Sequence, residues 1–279
     1  IYAMAASNAG TTTAFGYGAA QNASGSGNVA IGHTAMSSGA AGVDNVAVGR
    51  LALAVTTGAK NTFIGTSAGA AMLAGQRNVG IGHTAGDALT TGYYNTMLGA
   101  STDGSATVNN QLAIGYGAVT DGANKIRLGN ASITTCNIQV DWTIDSDERI
   151  KENITDGAIG LDFINALRPV TFTKKHPADW DSAILEDRYK SGGGNYDDEK
   201  DEVVKDEFDS TTVIDGLIAQ EVKATIDSLG VDFSGWSEDG KGKQGIQYSS
   251  LVIPLIKAVQ ELSAKVTALE QQNGSSSNE

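Results

Sequence analysis

The chain has 279 residues and a formal net charge of −13 at pH 7, and aromatic residues make up only 6% of it. A chain of this length forms one large domain or two ordinary ones. The acidic balance argues against nucleic acid and anionic membranes as partners, because neither half carries a stripe of basic residues. No apolar run approaches the length of a membrane span and no signal peptide is visible, so we predict no membrane insertion.

Composition divides the chain close to residue 146. Residues 1–145 hold 23 of the 35 glycines and carry a net charge of −1, whereas residues 146–279 hold all three prolines and carry a net charge of −12. We therefore predict two domains with these bounds. Cys136 is the only cysteine, so no disulfide can form within the chain, and we interpret this residue as a small buried hydrophobe.

The first domain is built from a short repeat of the form Asn-x-x-(Ile, Val or Leu)-Gly. Full copies start at Asn28, Asn45, Asn61, Asn78 and Asn95, a variant starts at Gln111, and a stretched copy starts at Asn124. Each copy predicts one short strand bounded by Gly and Asn, the residues that most readily adopt a positive φ at a corner. The apolar residues keep step with Asn and Gly over roughly 100 residues, which a disordered glycine-rich linker does not do.

A single copy buries too few apolar side chains to offset the entropy of ordering it, whereas stacked copies share one continuous core. Such a coil is thin, so we infer that several chains join to bury its remaining face, and threefold symmetry closes most simply. The repeat resembles the head repeats of trimeric autotransporter adhesins and the β-helical shafts of phage fibres. This resemblance implies a trimeric β-helix or β-roll that forms a shaft or tip.

Candidate functional residues in the repeats favour binding over catalysis. His33 and His83 follow the strand glycine in two copies, and in a trimer each would gather three imidazoles. No second ligand follows at a fixed spacing, so we prefer a surface role and predict no metal and no cofactor. We predict that this domain binds a host glycan or protein receptor. Several polar and aromatic side chains suit stacking on sugar and hydrogen bonding to it, and the same composition is also typical of plain turns. They are Tyr93, Tyr94, Asn109, Asn110 and Tyr116.

A glycan-cleaving site is not predicted, because glycoside hydrolysis needs two carboxylates that face each other. The acids of this domain are all isolated in the sequence, and we interpret them as turn residues. They are Asp44, Asp87, Asp103, Asp121, Asp141 and Asp145.

A hydroxyl and an amine lie five residues apart at the start of the second domain, in Ser146-Asp-Glu-Arg-Ile-Lys151. These groups are the minimum for a serine–lysine pair, in which an amine removes the proton of the nucleophile. The alternative is a polar linker in which Ser146 or Asp147 caps a short helix. Composition alone favours the linker, because Ser and Lys are common residues.

Three ordered blocks reverse this weighting. Residues 146–154, 216–222 and 248–262 resemble the intramolecular chaperone domains of the endosialidase type, found at the C-terminal ends of phage tail fibres and tailspikes. Residues 158–170 also resemble the first helix of that family and the strand after it. The resemblance extends from about residue 146 to about residue 269.

The resemblance implies a cut at the Asp145–Ser146 bond, with Ser146 as the nucleophile and Lys151 as the general base. A lysine amine acts as a base near neutral pH only when burial lowers its pKa, so we expect cleavage to depend on assembly. Arg149 has two candidate roles. It can stabilise the developing oxyanion, or pair with Asp147 or Glu152, which is the simpler expectation.

The remaining elements are predicted from apolar spacing. We expect a short helix that ends before Pro169, a strand in 170–174, and a strand that leads into a helix across 213–222. Residues 186–210 predict a charged loop or hairpin tip, and residues 234–247 a glycine-rich connection that contains Trp236.

The boundary itself predicts one more strand, from Asn130 to Val140, with Trp142 and Ile144 packing it onto the following domain. Near the end of the chain, two heptad positions are apolar and predict a short coiled-coil seam. They are Val252, Val259 and Val266 at one position, and Leu255, Leu262 and Leu269 at the other. This pattern favours two strands in an isolated coil, but we expect a trimer because so short a seam follows the rest of the assembly. Pro254 fits only in the first turn of the helix.

The predicted function is the distal part of a phage tail fibre or tailspike, assembled in the host cytoplasm. Its C-terminal domain drives homotrimerisation and folding, and is then released by a single-turnover self-cleavage without activity on external substrates. The alternative is the head of a trimeric bacterial surface adhesin without self-cleavage, which explains the repeats but not the three blocks. An ordinary glycan-cleaving enzyme is disfavoured by the lack of paired acids.

Overall fold

The computed structural model of the chain describes residues 11–130, 132–133, 135–185, 189, 196–197, 202–203 and 210–276. The chain forms two compact units, residues 1–135 with 186–208, and residues 136–185 with 209–279. The first is mainly a repeat of short strands, and the second combines small sheets with helices and ends in a long helix. The predicted fold class is therefore confirmed, while the domain boundary at residue 146 stays a prediction.

Eight short strands of the first unit stack in chain order into one parallel sheet, the sheet of a β-solenoid. They are β1 (Thr13–Phe15), β2 (Val29–Ile31), β3 (Val46–Val48), β4 (Thr62–Ile64), β5 (Val79–Ile81), β6 (Thr96–Leu98), β7 (Gln111–Ile114) and β8 (Lys125–Leu128). The register sets equal repeat positions side by side, so that Ala30 lies opposite Ala47 and Ile31 opposite Val48. Each repeat thus contributes one rung.

Side chains alternate between the two faces of this sheet, as the strand geometry requires. The inward residue of each central rung is small or fully buried, as Ala47, Phe63 and Met97 show. The outward residues form apolar columns that stay accessible to solvent. Those at the third position of their strands include Ile31, Ile64 and Ile81, which are 38 to 42% exposed.

The glycine after each strand permits this close stacking. From Gly16 to Gly115 these glycines adopt φ values of +109 to +143°, which L side chains rarely reach. A Cβ on Gly65 would lie 2.1 Å from the carbonyl oxygen of Gly82 in the next rung. The repeat therefore requires glycine for both its backbone angle and its lack of a side chain.

The repeat asparagines form a buried ladder through the solenoid. The Oδ1 of Asn45 accepts hydrogen bonds from the backbone N–H of Asn61 at 3.0 Å and from its Nδ2 at 3.2 Å. Asn61 accepts the same two bonds from Asn78, at 3.0 and 3.2 Å. The Nδ2 of Asn61 also donates to the carbonyl of Gly75 at 2.9 Å. Gln111 continues the ladder by donating its N–H to Asn95 at 2.9 Å.

The ladder corrects the interpretation of these asparagines as corner residues. In the five full copies the positive φ falls on the residue before the asparagine. That residue is a glycine in the first copy, and in the others it is Asp44, Lys60, Arg77 or Tyr94. The asparagine side chain is needed inside, where its amide satisfies buried backbone groups that no neighbouring strand reaches.

The second unit has a small apolar core of its own. Its elements are α1 (Leu161–Ala166), β9 (Val170–Phe172), β12 (Ile214–Gly216), α2 (Ala219–Leu229), β13 (Trp236–Glu238), β14 (Gln244–Ile246) and α3 (Val252–Ser276). Two more short strands, β10 (Tyr196–Asp197) and β11 (Glu202–Val203), belong to the first unit. Phe163 of α1 packs on Phe233 with 5.2 Å between ring centroids, beside Val222 and Ile226 of α2. Glu261 of α3 accepts the N–H of Leu161 at 2.8 Å and so holds the first turn of α1.

The predicted helix before Pro169, the strand after it and the strand that leads into α2 are all present. Residues 234–247 are not a plain connection, because β13 and β14 pair antiparallel there. The indole N–H of Trp236 donates to the Gln244 side chain at 3.4 Å across this hairpin. Most of residues 186–210 lie outside the described residues, but β10 and β11 within that stretch pair antiparallel as a hairpin would.

Three predictions near the boundary are wrong. The described residues between Asn130 and Val140 contain no strand, and the last rung is β8. Trp142 and Ile144 are 73% and 76% exposed rather than packed. Cys136 is also exposed, not buried. The apolar residues of this stretch do not alternate strictly, so they define no face that a sheet could bury.

The long helix α3 contains the predicted seam, with Pro254 in its first turn where no hydrogen bond is lost. Both heptad columns are open to solvent, and their six side chains are 45 to 64% exposed. Among the described residues, no helix is long and apolar enough to cross a membrane.

We expect Asn61→Ala to lower the free energy of unfolding of the solenoid by roughly 3 kcal/mol, because it leaves the Asn78 N–H and the Gly75 carbonyl buried without partners. Thermal unfolding followed by circular dichroism measures the change. Arg50→Ala, at an exposed position of the neighbouring rung, is the matched control. Equal melting temperatures for both variants would contradict a stabilising role for the ladder.

Candidate functional site

The candidate site is a single turn of 3-10 helix, Glu148–Ile150, that brings Ser146 and Lys151 together. Lys151 ends this turn, where its backbone N–H donates to the Glu148 carbonyl at 3.0 Å. Its side chain returns across the turn, and its Nζ donates to the Oγ of Ser146 at 2.8 Å. A spacing of five residues therefore gives direct contact between the predicted nucleophile and the predicted base.

Asp147 and Arg149 fix the shape of the turn. Asp147 is the N-cap, and its carboxylate accepts the backbone N–H of Arg149 at 2.9 Å. The guanidinium of Arg149 also donates two bonds to that carboxylate, at 2.9 and 2.6 Å. These bonds hold the pKa of Asp147 below its usual range and raise that of Arg149. Of the two candidate roles for Arg149, the structure places it in the ion pair.

The site is open to water on every side. Ser146, Lys151 and the scissile neighbour Asp145 are all exposed, as is the whole stretch from residue 135 to residue 158. Lys151 is the only cation hydrogen-bonded to Ser146 among the described contacts. The geometry thus brings the hydroxyl and the amine of the predicted pair into contact, but it does not supply the dry surroundings that an amine base requires.

A cleft lies beside the residues that flank this turn. Its volume is about 940 Å³, and its lining includes Ile144, Thr155, Asp156, Phe233 and Pro254. The chain therefore meets the cleft just before and just after the Ser146 turn, while the turn itself lies outside it. This is a place where an incoming segment can contact both flanks of the scissile bond.

Residues 146–231 match a family model described as chaperone of endosialidase, which is a peptidase family. Residues 146–231 are therefore similar to the chaperone domains of the endosialidase type. The match begins at the predicted nucleophile Ser146 and includes two of the three blocks quoted above, whereas the third, 248–262, lies beyond it. A β-solenoid followed by this chaperone is the composition of a tail fibre or tailspike with a C-terminal chaperone domain. The family also supports self-cleaving peptidase activity in general.

No curated protein matches the chain. No solved structure matches it either. The chaperone domain is accordingly the part of the chain that has a recognised relative, and the solenoid is understood from its own geometry.

In the solenoid, the predicted isolation of the acids is wrong for one pair. Asp87 and Asp103 occupy turns of adjacent rungs, and their carboxyl groups share a hydrogen bond. Asp103 also accepts the N–H of Ala88 at 3.1 Å and that of Gly104 at 2.8 Å. Carboxyl groups in direct contact are closer than the roughly 5 Å that retaining glycosidases need, so this pair does not support glycan cleavage. The sequence did not reveal the pair because its members lie 16 residues apart, about one rung.

Burial, together with the neighbouring carboxyl group of Asp87, raises the pKa of Asp103 to about 8 against the backbone hydrogen bonds that lower it. Burial likewise raises the pKa of Asp87, although His83 lowers it. The pair therefore retains a proton at neutral pH, which lets one carboxyl group donate to the other.

The other predicted residues lie apart on the solenoid surface. The ring of His33 stacks on Tyr17 with 5.3 Å between centroids, and Arg77 lies 5.5 Å over the ring of Tyr94. His83 is exposed. No group of three or more His, Cys, Asp or Glu side chains suited to a metal occurs in the part of the chain that the structure describes.

The Asp87–Asp103 pair predicts an alkaline loss of stability. The folded-state pKa of Asp103 is raised above its unfolded value, so the folded chain binds the extra proton and stability falls as the pH rises from about 4 to about 8. Asp103→Asn keeps the acceptor and adds a permanent donor, so we expect a flatter pH dependence and a higher melting temperature at pH 8 to 9.

Melting temperatures across pH 5 to 9 test this, with Asp121→Asn as the control, because that carboxylate pairs with Lys125 at an exposed site. A slope for Asp103→Asn equal to that of the unmodified chain would refute the proton-sharing account.

Proposed function

We propose that this chain is the distal part of a phage tail fibre or tailspike whose C-terminal domain aligns three copies and then cuts itself off. The cut falls at the Asp145–Ser146 bond. The single observation that carries this proposal is the 2.8 Å contact between the Nζ of Lys151 and the Oγ of Ser146, at the first residue of the matched chaperone domain.

The chemistry follows from that contact. The Oγ of Ser146 attacks the carbonyl carbon of Asp145 while Lys151 takes the hydroxyl proton. The C–N bond then breaks, the amine of Ser146 receives a proton, and Asp145 is held as an ester on Oγ. Water hydrolyses this ester, which leaves a new carboxylate on Asp145 and restores the hydroxyl of Ser146.

Assembly controls this reaction in the proposal. Lys151 is exposed to water in the single chain, whereas an amine that acts as a general base needs surroundings from which water is removed. A second chain that covers the turn would remove that water. The cleft between the flanks of the turn offers a place for such a chain. A lone or unfolded chain would therefore remain whole.

Two open apolar surfaces support a homotrimer. The seam of α3 exposes six aliphatic side chains at heptad positions, and the outer face of the solenoid sheet exposes a column of apolar side chains that runs from Phe15 to Leu128. A monomer rarely leaves contiguous apolar surface of this extent in water. Three chains that meet along both surfaces would bury them.

The proposal also has a kinetic reason. Pairing of β-structure between chains or over long distances in sequence is slow and slips easily in register. A trimerising domain at the end of the chain raises the local concentration of the strands, so that the solenoids pair from one end. Its removal leaves a fibre that has no simple path back after unfolding, which is kinetic stability.

In this proposal the solenoid is the part that stays on the virion and binds a host surface receptor, a glycan above all, after assembly in the host cytoplasm. The adhesin-head alternative accounts for the solenoid alone. It gives no role to the Ser146–Lys151 contact or to the matched domain, and so is second.

We expect the folded, unmodified chain to give two bands on a denaturing gel and Ser146→Ala to give one full-length band. Lys151→Gln should act in the same way, because it removes the proton acceptor and keeps the length of the side chain. Ser182→Ala, an exposed serine of the same domain, is the control and should still be cut. Mass spectrometry of the fragments locates the bond, and a cut elsewhere, or none in folded protein, would reject the dyad.

Assembly is tested separately in α3. Leu262→Asp places a charge in the seam, so we expect the sedimenting mass to fall from trimer to monomer and cleavage to slow by at least about tenfold. Ala264→Asp sets the same charge off the seam of the same helix and should change neither. Full cleavage by a monomeric Leu262→Asp chain would show that assembly does not control the reaction.

A further inference from the structure

A column of side chains runs along the solenoid immediately after the strand glycines. Its members, from β1 to β8, are Tyr17, His33, Arg50, Thr66, His83, Ala100, Tyr116 and Asn130. Backbone hydrogen bonds keep the column in step: the carbonyl of His83 accepts the N–H of Ser101, and that of Ala100 accepts the N–H of Gly117. Neighbouring members are therefore about one strand spacing, 4.8 Å, apart.

Where two rings are neighbours in this column, they stack. Tyr17 and His33 are successive members, and their rings lie 5.3 Å apart and within 19° of parallel. No ligand fits between them. In this pair, two rings one rung apart lie nearly parallel, with their centroids separated by about one strand spacing.

Between His83 and Tyr116 the column instead has a gap one ring wide. These rings are separated by two rungs, about 10 Å, and the member between them is only the methyl group of Ala100. Their local settings match those of the stacked pair. Tyr116, like Tyr17, lies between two glycines and is 58% exposed, and His83 contacts the hydroxyl of Thr84 as His33 contacts that of Thr34. A flat ring inserted midway would lie about 5 Å from each, which is the distance at which rings stack.

We propose that His83, Ala100 and Tyr116 form a slot that binds one pyranose ring of a host surface glycan. The proposal rests on the receptor-binding role proposed above and gives it a location. The sugar ring presents its C–H faces to the two flanking rings, while its hydroxyl groups meet polar side chains at the edge of the slot.

The polar edge identifies the class of sugar. The hydroxyls of Thr84 and Ser101 lie 3.4 Å apart across these rungs, and Asp87 is near enough to His83 for the imidazole to lower the pKa of its carboxyl group. Hydroxyls and a carboxyl group suit the hydroxyl or amide groups of a neutral hexose or N-acetylhexosamine. The negative charge of the Asp87–Asp103 pair opposes sialic and uronic acids. A nucleobase is also flat, but the repeats have no basic stripe to hold its phosphates.

The slot can be closed by one substitution. Ala100→Tyr places a ring where the sugar would lie, and the column accepts a tyrosine elsewhere, as Tyr17 shows. We expect this variant to lose binding by at least roughly tenfold, as for the loss of a stacked ring. Thr66→Tyr is the matched control, because it adds the same ring on the opposite side of His83, outside the slot. Tyr116→Ala and His83→Ala, which only shorten exposed side chains, should each weaken binding too.

The measurement uses the full assembled chain on a printed array of neutral, amino and acidic oligosaccharides, followed by titration calorimetry with the strongest neutral hit. Loss of binding in Ala100→Tyr with retention in Thr66→Tyr, at unchanged melting temperatures, supports the slot. Equal binding by Ala100→Tyr and the unmodified chain overturns the slot while leaving a glycan receptor in place. Binding of acidic sugars alone overturns the assigned class, and an array without any bound sugar overturns both the slot and the proposed glycan receptor.

Discussion

The solenoid depends on one constraint, that every rung must satisfy buried backbone groups without help from a second sheet. The asparagine ladder meets it, because each side chain accepts from the next rung and donates to a carbonyl beside it. The column of glycines allows the rungs to stack this closely, since a Cβ on Gly65 would overlap the next rung. Once these two columns are fixed, the inward position needs little volume, and residues as small as Ala47 fill it. The outward positions and turns are then free to vary, and the surface features arise there.

This freedom explains which parts of the fold the sequence predicts. The period of the repeat gave the strands and their order, because Asn and Gly recur for reasons of backbone geometry that any stacked coil shares. The role of Asn61 was misplaced at a corner, because a single sequence does not show whether an asparagine is used for its φ angle or for its amide. The Asp87–Asp103 contact was missed for a related reason: residues one rung apart look isolated along the chain. At the boundary, Trp142 and Ile144 are apolar yet exposed, and apolar character alone does not identify what covers a side chain.

The candidate site was likewise predictable from the sequence only in part. The spacing of Ser146 and Lys151 gave no signal by itself, and the family match that begins at Ser146 makes them candidates. The structure adds the reason that five residues suffice: the Asp147–Arg149 pair closes a turn whose two ends meet. That pair also explains why Arg149 is not needed as an oxyanion donor to account for its place in the motif. What neither sequence nor single-chain geometry contains is the dry environment of the base.

The proposed homotrimer gives the open site and the open surfaces one common explanation. The single chain exposes the Lys151 amine, an aliphatic helix seam and an apolar sheet face. Separate explanations for each would require three different partners. In the proposed homotrimer, copies of the same chain would supply all three, because burial of the seam and the sheet face would bring the chaperone domains together over the turn. Cleavage would then report that assembly has finished. The proposed reaction would need no separate regulator, since the free energy that buries the apolar surfaces would also remove water from the amine.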